Sequence, residues 1–376
     1  MEKRHLPKLG IDVSLLGFGC MRLPTKDGKI DEELAAKMID EAYNKGVTYF
    51  DTAFPYHNGE SEPFLGKVLD RYPRDSYFLA TKLPLWNVNS VEDADRIFHQ
   101  QLERLHKDYV DFYLLHAINH ERFEKMRDLG VIDYCNKLKE EGKIKYFGFS
   151  FHDSYEAFEE IITYREWDFC QIQYNYFDRD DQAGDRGYAL AEKLGIPMVI
   201  MEPLKGGTLC NFSDDINAMF HEVDPTASIA SFGLRWVANH PNVKVILSGM
   251  SSWEQVEDNL NTFINYKPFS KEDIDLIDRV DHTIRTRVQN GCTGCRYCMP
   301  CPAGVDIPHN FKVWNTYHML QNYGQIKWGW DDLQNSKATA EACKKCGLCE
   351  TKCPQKLSIR DDLARAFADL SNPQYK

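Results

Sequence analysis

Short β-rich segments alternate with longer helical segments through most of this 376-residue chain. The composition and boundaries of these segments predict strands at residues 15–20, 47–51, 77–81, 110–116, 145–150, 169–174, 197–201 and 243–247. Eight strand-helix units in succession fit the length of about 250 residues that is typical of a (β/α)8 barrel. A doubly wound sheet normally has fewer strands. The alternation therefore predicts an α/β fold, a closed (β/α)8 TIM barrel.

Two details of the barrel segment are also predicted. Residues 4–10 have the character of a short extra strand or turn before the first barrel strand. Asp224 is followed by Pro225, which is a cap residue followed by proline at the first helical position. A helix is therefore predicted to begin there and to run to about residue 239.

The chain beyond the last strand is predicted to be mainly helical. A capped helix begins at Ser270, and its apolar positions fall on one face that we expect to pack against the barrel: Ile274, Ile277, Val280, Ile284 and Val288. A further helix is predicted at 310–322. The expected domains are the barrel over 1–268, a connecting helix over 269–290, and a small helical ferredoxin-like domain over 291–376.

Two cysteine runs dominate this last domain. Residues 343–353 read CKKCGLCETKC and precede Pro354, while residues 292–301 read CTGCRYCMPC and precede Pro302. The later run has the C-x2-C-x2-C-x3-C-P spacing of bacterial iron-sulfur proteins, and the earlier run is one residue shorter before its last cysteine. Two [4Fe-4S] clusters are therefore predicted, and a four-cysteine zinc site or a disulfide scaffold remains the alternative.

The last cysteine of each run comes too soon to close the cluster bound by its own first three cysteines, so it is expected to serve the other cluster. One predicted ligand set is Cys292, Cys295, Cys298 and Cys353. The other is Cys343, Cys346, Cys349 and Cys301. The remaining cysteines, at positions 20, 135, 170 and 210, are expected to be small buried hydrophobic residues without a function.

Charge and composition limit the partners. The chain has 45 Lys and Arg against 57 Asp and Glu, a formal net charge of -12, which disfavours nucleic acids and anionic membranes. The N-terminus lacks the apolar region of a secretory signal, and no segment has the apolar length of a membrane span. A cytoplasmic protein is expected.

Polar residues follow several of the predicted strands. Asp51 ends the second strand, Lys82 follows the third, His116 ends the fourth, and Tyr56 lies shortly after Asp51. Each alone has an ordinary explanation as a cap, a surface charge or a satisfied interior group. Because barrel active sites form at the C-terminal ends of the strands, the four together are candidate catalytic residues.

These motifs resemble those of the aldo-keto reductase family, from Gly17-Phe18-Gly19 to Asn259, and together with the cysteines they resemble the branch with a C-terminal 4Fe-4S ferredoxin-type domain. Further matching residues are Gly59, Ser61, Glu62 and the loop 202–207. The resemblance implies an NAD(P)H-dependent oxidoreductase that acts on a small carbonyl or alcohol. It makes Asp51, Tyr56, Lys82 and His116 catalytic, with Tyr56 the general acid. Lys82 is then expected to lower the pKa of Tyr56.

The resemblance also implies a nicotinamide site. Its carboxamide is expected at Ser150 and Gln171, with His152 as a weaker candidate, and Met201 replaces a stacking tyrosine. The expected phosphate segment and the helix positions after it are Ser248, Gly249, Met250, Ser251, Ser252, Gln255, Asp258 and Asn259. No Lys or Arg lies between residues 245 and 266, so the choice between NADPH and NADH stays open.

Two other functions remain possible from the sequence. In the first, the protein is an iron-sulfur electron carrier or redox sensor, and the barrel serves as its scaffold. In the second, the clusters have a structural role only. A nicotinamide gives up two electrons as hydride, whereas each cluster accepts one, and the sequence has no flavin fingerprint to join them. An external flavoprotein or ferredoxin is therefore expected as a partner of the clusters.

Overall fold

The computed structural model describes residues 1–375, and within them eight parallel strands close into a barrel in chain order. The barrel strands are Leu16–Gly19, Tyr49–Asp51, Phe78–Pro84, Val110–Ile118, Ile144–Phe151, Phe169–Gln173, Met198–Met201 and Val243–Ser248. The last strand pairs with the first through Ile246 and Leu16, which closes the barrel. Each predicted strand overlaps one of these, so the predicted TIM barrel is confirmed.

Helices alternate with the barrel strands. They are Glu32–Asn44, Ser61–Leu69, Val91–Leu105, His120–Asp128, Val131–Glu140, Tyr155–Thr163, Gly184–Lys193, Ile229–Ala238 and Trp253–Ile264. Several begin at a side-chain cap: the Ser90 hydroxyl accepts a hydrogen bond from the Asp93 N–H at 3.3 Å. Such caps fix where the chain leaves a strand end and enters the next helix.

An antiparallel hairpin of Lys3–Leu6 and Ile11–Ser14 precedes the barrel, where a short extra strand or turn was predicted. Its Leu6 and Val13 belong to one buried cluster with Tyr49, Phe112 and Phe169 in the barrel. Tyr49 and Phe169 stand at the first positions of their strands, so the hairpin fills the N-terminal end of the barrel. The C-terminal strand ends remain for a functional site.

The structure also contains several short regular elements. A second antiparallel ribbon joins Thr25–Lys26 and Lys29–Ile30. Short 3-10 segments occur at Cys20–Arg22, Tyr56–Gly59, Arg74–Ser76, Leu85–Asn87, Lys205–Cys210, Tyr323–Gln325 and Ala340–Ala342.

The helix expected to begin at Pro225 begins instead at Ile229, so this prediction was wrong by one turn. Asp224 terminates the preceding helix, and its carboxylate accepts hydrogen bonds from the N–H groups of Thr226 and Ala227 at 3.0 and 3.2 Å. These bonds build a turn from the residues that were expected to form the first helical turn.

The chain divides into two compact units. One contains Met1–Gly206 with Ala230–Ser270, and the other contains Gly207–Ile229 with the chain from Lys271 onward. The helices of the second unit are Asp214–Val223, Lys271–Arg285, Ile307–Leu320, Lys327–Asn335, Leu348–Lys352 and Ile359–Ser371. No helix among residues 1–375 has the length and apolar content needed to cross a membrane.

The second unit has a hydrophobic core of its own, which includes Phe311, Trp314, Trp330 and Leu363. Most cysteines of the two runs pack against this core, namely Cys292, Cys298, Cys301, Cys343, Cys349 and Cys353. The Trp314 indole also donates a hydrogen bond to Asp369 at 2.7 Å. The cysteine runs are therefore held by a helical scaffold, as the sequence predicted.

The helix Lys271–Arg285 packs against Asp214–Val223 in the same unit. The middle of its predicted apolar face is buried, at Ile277, Val280 and Ile284. The two ends of that face are not, because Ile274 is 41% and Val288 is 40% exposed. Helical periodicity therefore identified the buried middle of this face, but the helix packs against Asp214–Val223 in the same unit, whereas packing against the barrel unit was expected.

Candidate functional site

The barrel register brings three candidate residues to one end. Asp51 lies level with Ala80 of the next strand, Lys82 lies two residues further along that strand, and Pro84 lies level with His116. Parallel strands all end on the same side of a barrel. Asp51, Lys82 and His116 therefore occupy neighbouring strand ends at the C-terminal side.

Lys82 and Asp51 form a buried ion pair. The Lys82 Nζ atom lies 2.6 Å from Asp51 Oδ1 and 2.8 Å from the Thr52 carbonyl oxygen, and both charged side chains are buried. Burial alone favours a neutral lysine, but Asp51 and Tyr56 outweigh it and raise the pKa of Lys82. Lys82 is therefore held as a cation with a fixed direction.

A buried polar network supports the Lys82 backbone. Gln101 Nε2 donates to the Lys82 carbonyl oxygen at 3.0 Å and to Glu62 Oε1 at 2.8 Å, and it lies 3.1 Å from the Thr81 hydroxyl. The Tyr113 hydroxyl donates to Gln101 Oε1 at 2.8 Å. Sequence reasoning missed Gln101 and Tyr113, because nothing in a helical or strand pattern marks which polar residues will meet in the interior.

Tyr56 stands at the start of the turn Tyr56–Gly59, which follows the second strand. His57 and Asn58 in this turn have left-handed φ values of 51° and 56°, and Gly59 has φ +90°, which favours glycine. The turn directs the Tyr56 ring so that its centroid is 4.9 Å from Lys82 Nζ and 5.9 Å from the His116 ring. All four candidate catalytic side chains therefore come together.

The expected lowering of the Tyr56 pKa does not appear. Burial is the largest influence and raises the pKa of Tyr56, and the opposing effect of Lys82 is smaller. Lys82 does favour the phenolate, as expected, but the extent of burial cannot be read from the sequence. Tyr56 therefore keeps its proton at neutral pH.

His116 is uncharged. Burial and then the charge of Lys82 lower its pKa to about 2, and Arg122 adds to the effect. Its Nδ1 atom is buried and has no hydrogen-bond partner among residues 1–375. The ring lies 5.1 Å from the ring of Trp86, which is 44% exposed. A neutral imidazole and an exposed aromatic surface therefore border the site.

The expected nicotinamide contacts lie on adjacent strands, where Ser150 is level with Gln171. The Ser150 hydroxyl accepts a hydrogen bond from the Ala117 N–H at 2.8 Å, and Gln171 Nε2 donates to Met201 Sδ at 3.4 Å. Gln171 Oε1 is buried and finds no partner in the described chain. A buried acceptor without a donor fits the N–H group of a carboxamide. His152, the weaker candidate, is exposed, and its Nδ1 lies 3.2 Å from Gln182 Oε1.

Several polar groups of the expected phosphate segment form hydrogen bonds with one another. Asn259 Nδ2 donates to the Ser248 hydroxyl at 2.9 Å, and Gln255 Oε1 accepts from the Ser251 N–H at 2.7 Å. Met250 is buried. Asn259, Gln255 and Met250 therefore shape this segment, while Gly249 and Ser251 border it.

A cation missed by sequence reasoning stands beside this segment. A Cβ atom added to Gly249 would lie 3.2 Å from Arg22, and the same distance separates a Cβ on Gly206 from the Arg22 guanidinium. The Ser251 hydroxyl donates to the Arg22 carbonyl oxygen at 2.7 Å. Inspection of residues 245–266 could not find Arg22, because it comes from the first strand-helix connection.

The eight cysteines of the two runs border two cavities. A cavity of about 330 Å³ is lined by Cys292, Cys295, Cys298 and Cys353. A second, of about 480 Å³, is lined by Cys301, Cys343, Cys346 and Cys349, with Cys298 between the two. These eight cysteines form no disulfide, and no group of three or more His, Cys, Asp or Glu in residues 1–375 is close enough to hold a single metal ion.

Two segments of the chain match known protein families. Residues 15–282 match the Aldo/keto reductase family, and residues 291–357 match the 4Fe-4S dicluster domain. Among curated proteins, an uncharacterized oxidoreductase of Bacillus subtilis is 27% identical over 73% of this chain and 94% of its own length. An NADH-specific methylglyoxal reductase of Escherichia coli is 25% identical over 69% of this chain and 93% of its own.

Solved structures show the same barrel. An aldo-keto reductase of Bacillus halodurans in its holo form superposes with a TM-score of 0.63 at 27% identity, over 74% of this chain and 96% of that one. An aldo-keto reductase of Klebsiella pneumoniae, solved in complex with NADPH, gives a TM-score of 0.59 at 24% identity over 74% and 95%. The second likeness concerns the fold alone.

Proposed function

This chain belongs to the aldo/keto reductase family, and we propose that it reduces the carbonyl group of a small aldehyde or ketone with NADH or NADPH. The observation that supports this most is the buried Lys82–Asp51 pair at 2.6 Å beside Tyr56 and His116. A buried ion pair costs desolvation energy, and a structural role alone gives no reason to place it against a tyrosine at the strand ends. Steady oxidation of NADH or NADPH on addition of an aldehyde, with one alcohol formed per nucleotide, is the first test.

We infer these roles for the residues of the site. The nicotinamide, when bound, supplies a hydride to the carbonyl carbon. Tyr56 then donates its phenolic proton to the carbonyl oxygen, and its raised pKa keeps that proton available at neutral pH. Lys82 stabilises the phenolate left on Tyr56, and Asp51 keeps Lys82 charged and oriented. Neutral His116 binds the carbonyl oxygen and orients it.

The chain's own residues fit a dinucleotide. Gln171 Oε1 is the free buried acceptor for the carboxamide, with Ser150 and Met201 beside it. Arg22 supplies the cation that residues 245–266 lack, next to Gly249 and Ser251. Arg22 is compatible with either NADH or NADPH, and the NADH-specific relative from Escherichia coli supports keeping both in the proposal.

We also propose that the two cavities hold two [4Fe-4S] clusters with crossed ligation. One cavity is lined by the first three cysteines of the first run and by Cys353, and the other by the first three of the second run and by Cys301, while Cys298 borders both. This division matches the ligand sets expected from spacing. Burial raises the pKa of Cys298 and Cys349, and metal coordination would offset this by holding both as thiolates. The clusters would supply one-electron transfer.

Electron exchange with an external flavoprotein or ferredoxin remains our hypothesis for the clusters. Hydride transfer moves two electrons together, and each cluster accepts one, so NADH or NADPH alone should reduce the clusters slowly or not at all. An anaerobic titration of flavin-free protein with each nucleotide, followed by EPR and by visible absorption, measures this. Dithionite should reduce the same sample at once, which is the control. Rapid stoichiometric reduction by NADH or NADPH would contradict the hypothesis.

A second candidate function is electron transfer or redox sensing, with the barrel as a scaffold. The exposed Cys295 and Cys346 support it, because a cluster bound near the surface can exchange electrons with another protein. The intact group of Asp51, Tyr56, Lys82 and His116 favours the reductase instead, since a scaffold has no use for it.

A further inference from the structure

We propose that the carbonyl substrate carries an anionic oxygen group, a carboxylate or a phosphate, and that Arg122 binds this group. The inference rests on the proposed carbonyl reduction and adds the chemical class of the substrate. Its basis is the Arg122 guanidinium, which bonds to the residue after His116 and forms no ion pair with a carboxylate of the described chain, residues 1–375.

Arg122 is held at the strand ends by three contacts. Its backbone N–H donates to the capping Asn119 side chain at 2.8 Å, at the start of helix His120–Asp128. Its Nη1 donates at 2.7 Å to the carbonyl oxygen of Ala117, the residue that follows His116. Its Cζ atom lies 5.6 Å from the centroid of the Trp86 ring, and that ring lies 5.1 Å from the His116 ring. Trp86 is therefore a neighbour of both the guanidinium and the imidazole.

The charge of Arg122 has no ion-pair partner in residues 1–375. No Asp or Glu among residues 1–375 forms an ion pair with it, whereas Arg127 of the same helix pairs with Asp128 at 2.9 Å and with Glu124 at 3.7 Å. Guanidinium has five N–H donors in a planar fork that matches a carboxylate or phosphate, and one carbonyl bond leaves most of them free. Arg122 is thus equipped to bind an external anion.

The charges near His116 favour Arg122 as the group that binds an anion. Lys82 is neutralised by Asp51, and His116 is uncharged, so neither competes with Arg122 for an anion. Glu202, Arg122 and Asp181 all act electrostatically on His152, so the Arg122 cation also reaches that side chain. An anionic group beside His116 is therefore expected to be attracted to Arg122, whose charge acts on both His116 and His152.

The exposed Trp86 ring sets the shape of the substrate. It offers an apolar surface near both His116, where the carbonyl oxygen is proposed to bind, and Arg122, where the anion is proposed to bind. An aromatic ring or a short carbon chain fits such a face. The expected class is therefore a compact carbonyl compound with an anionic group at the far end from the reacting carbon.

A structural role for Arg122, tying down the loop after His116 through Ala117, is the competing explanation. Two substitutions separate the roles. Arg122→Gln removes the charge but keeps an amide that can donate to the Ala117 carbonyl, and Arg122→Lys keeps the charge without the fork. Arg127→Gln, on the same helix but already paired with Asp128, is the matched control.

The test compares three aldehydes of similar shape in cluster-loaded protein: 4-carboxybenzaldehyde, 4-formylphenyl phosphate and the neutral methyl 4-formylbenzoate. We expect kcat/KM for at least one anionic aldehyde to exceed that of the ester by about ten- to a hundredfold, the usual value of a hydrogen bond to a charged group. Arg122→Gln should abolish this preference for the anionic aldehydes and leave kcat/KM for the ester unchanged. Arg122→Lys should keep part of the preference, and Arg127→Gln should keep all of it. The anion preferred by the unmodified protein distinguishes a carboxylate substrate from a phosphate.

Two results would overturn the inference. One is equal kcat/KM for the ester and both anions in the unmodified protein. The other is a similar loss for all three aldehydes in Arg122→Gln, which would show a structural role. Failure of the proposed function looks different, because then none of the three aldehydes would be reduced with NADH or NADPH.

Discussion

Replacing Tyr56 by phenylalanine is expected to lower kcat for carbonyl reduction by at least about a hundredfold while nicotinamide binding survives. The substitution keeps the ring that packs near His116 and Lys82 and removes only the hydroxyl that carries the proton. Steady-state turnover with an aldehyde, together with a fluorescence titration of NADPH and NADH, measures both quantities on the same preparation.

Tyr164→Phe is the matched control, because Tyr164 is exposed and its ring packs on Phe123, not on a candidate catalytic residue. It should leave kcat unchanged. Near-normal turnover of Tyr56→Phe would remove Tyr56 as the general acid and make His116 the next candidate. A loss of NADPH binding in Tyr56→Phe would mean that the Tyr56 hydroxyl is needed to bind the nucleotide, and the lower turnover would then not identify Tyr56 as the general acid.

Cys353→Ser is expected to remove one cluster, so that anaerobically prepared protein falls from about eight irons and eight sulfides per chain to about four of each. The physical reason is that Cys353 borders the same cavity as Cys292, Cys295 and Cys298. Iron and sulfide analysis with EPR measures the loss. Stoichiometric zinc with little iron in the unmodified protein would contradict the cluster proposal itself.

Double variants test the crossing. If Cys353 and Cys292 bind the same cluster, adding Cys292→Ser to Cys353→Ser should cause little further loss of iron, while adding Cys343→Ser should remove nearly all of it. Ligation of each cluster by a single run predicts the reverse order. Cys210→Ser, outside both runs, should keep about eight irons and serves as the control.

The barrel and the positions of its catalytic candidates were predictable from local patterns. Strand and helix periodicities are set by nearby residues, and a parallel barrel brings every strand end to one side. This is why Asp51, Lys82 and His116, each at or just beyond the end of a predicted strand, were found from the sequence.

Features that depend on contacts between residues far apart in the sequence could not be predicted. The net pKa of Tyr56 depends on how deeply the folded chain buries it, and burial outweighs Lys82. Arg22 reaches Gly249 across more than half of the chain, and Gln101 meets Lys82 only in the interior. Sequence periodicity does not predict such contacts, because they depend on how the whole barrel packs.

The fate of the hydride separates a carbonyl reductase from an electron carrier with a barrel scaffold. Cluster-loaded protein is incubated anaerobically with an aldehyde and NADH or NADPH carrying deuterium at the reactive C4 position, and the products are analysed by mass spectrometry while EPR follows the clusters. We predict an alcohol with one deuterium on the former carbonyl carbon for each nucleotide oxidised, and clusters that stay in their starting state. Oxidation of the nucleotide with reduced clusters and no labelled alcohol would contradict carbonyl reduction at Tyr56 and make the clusters the working part of the protein.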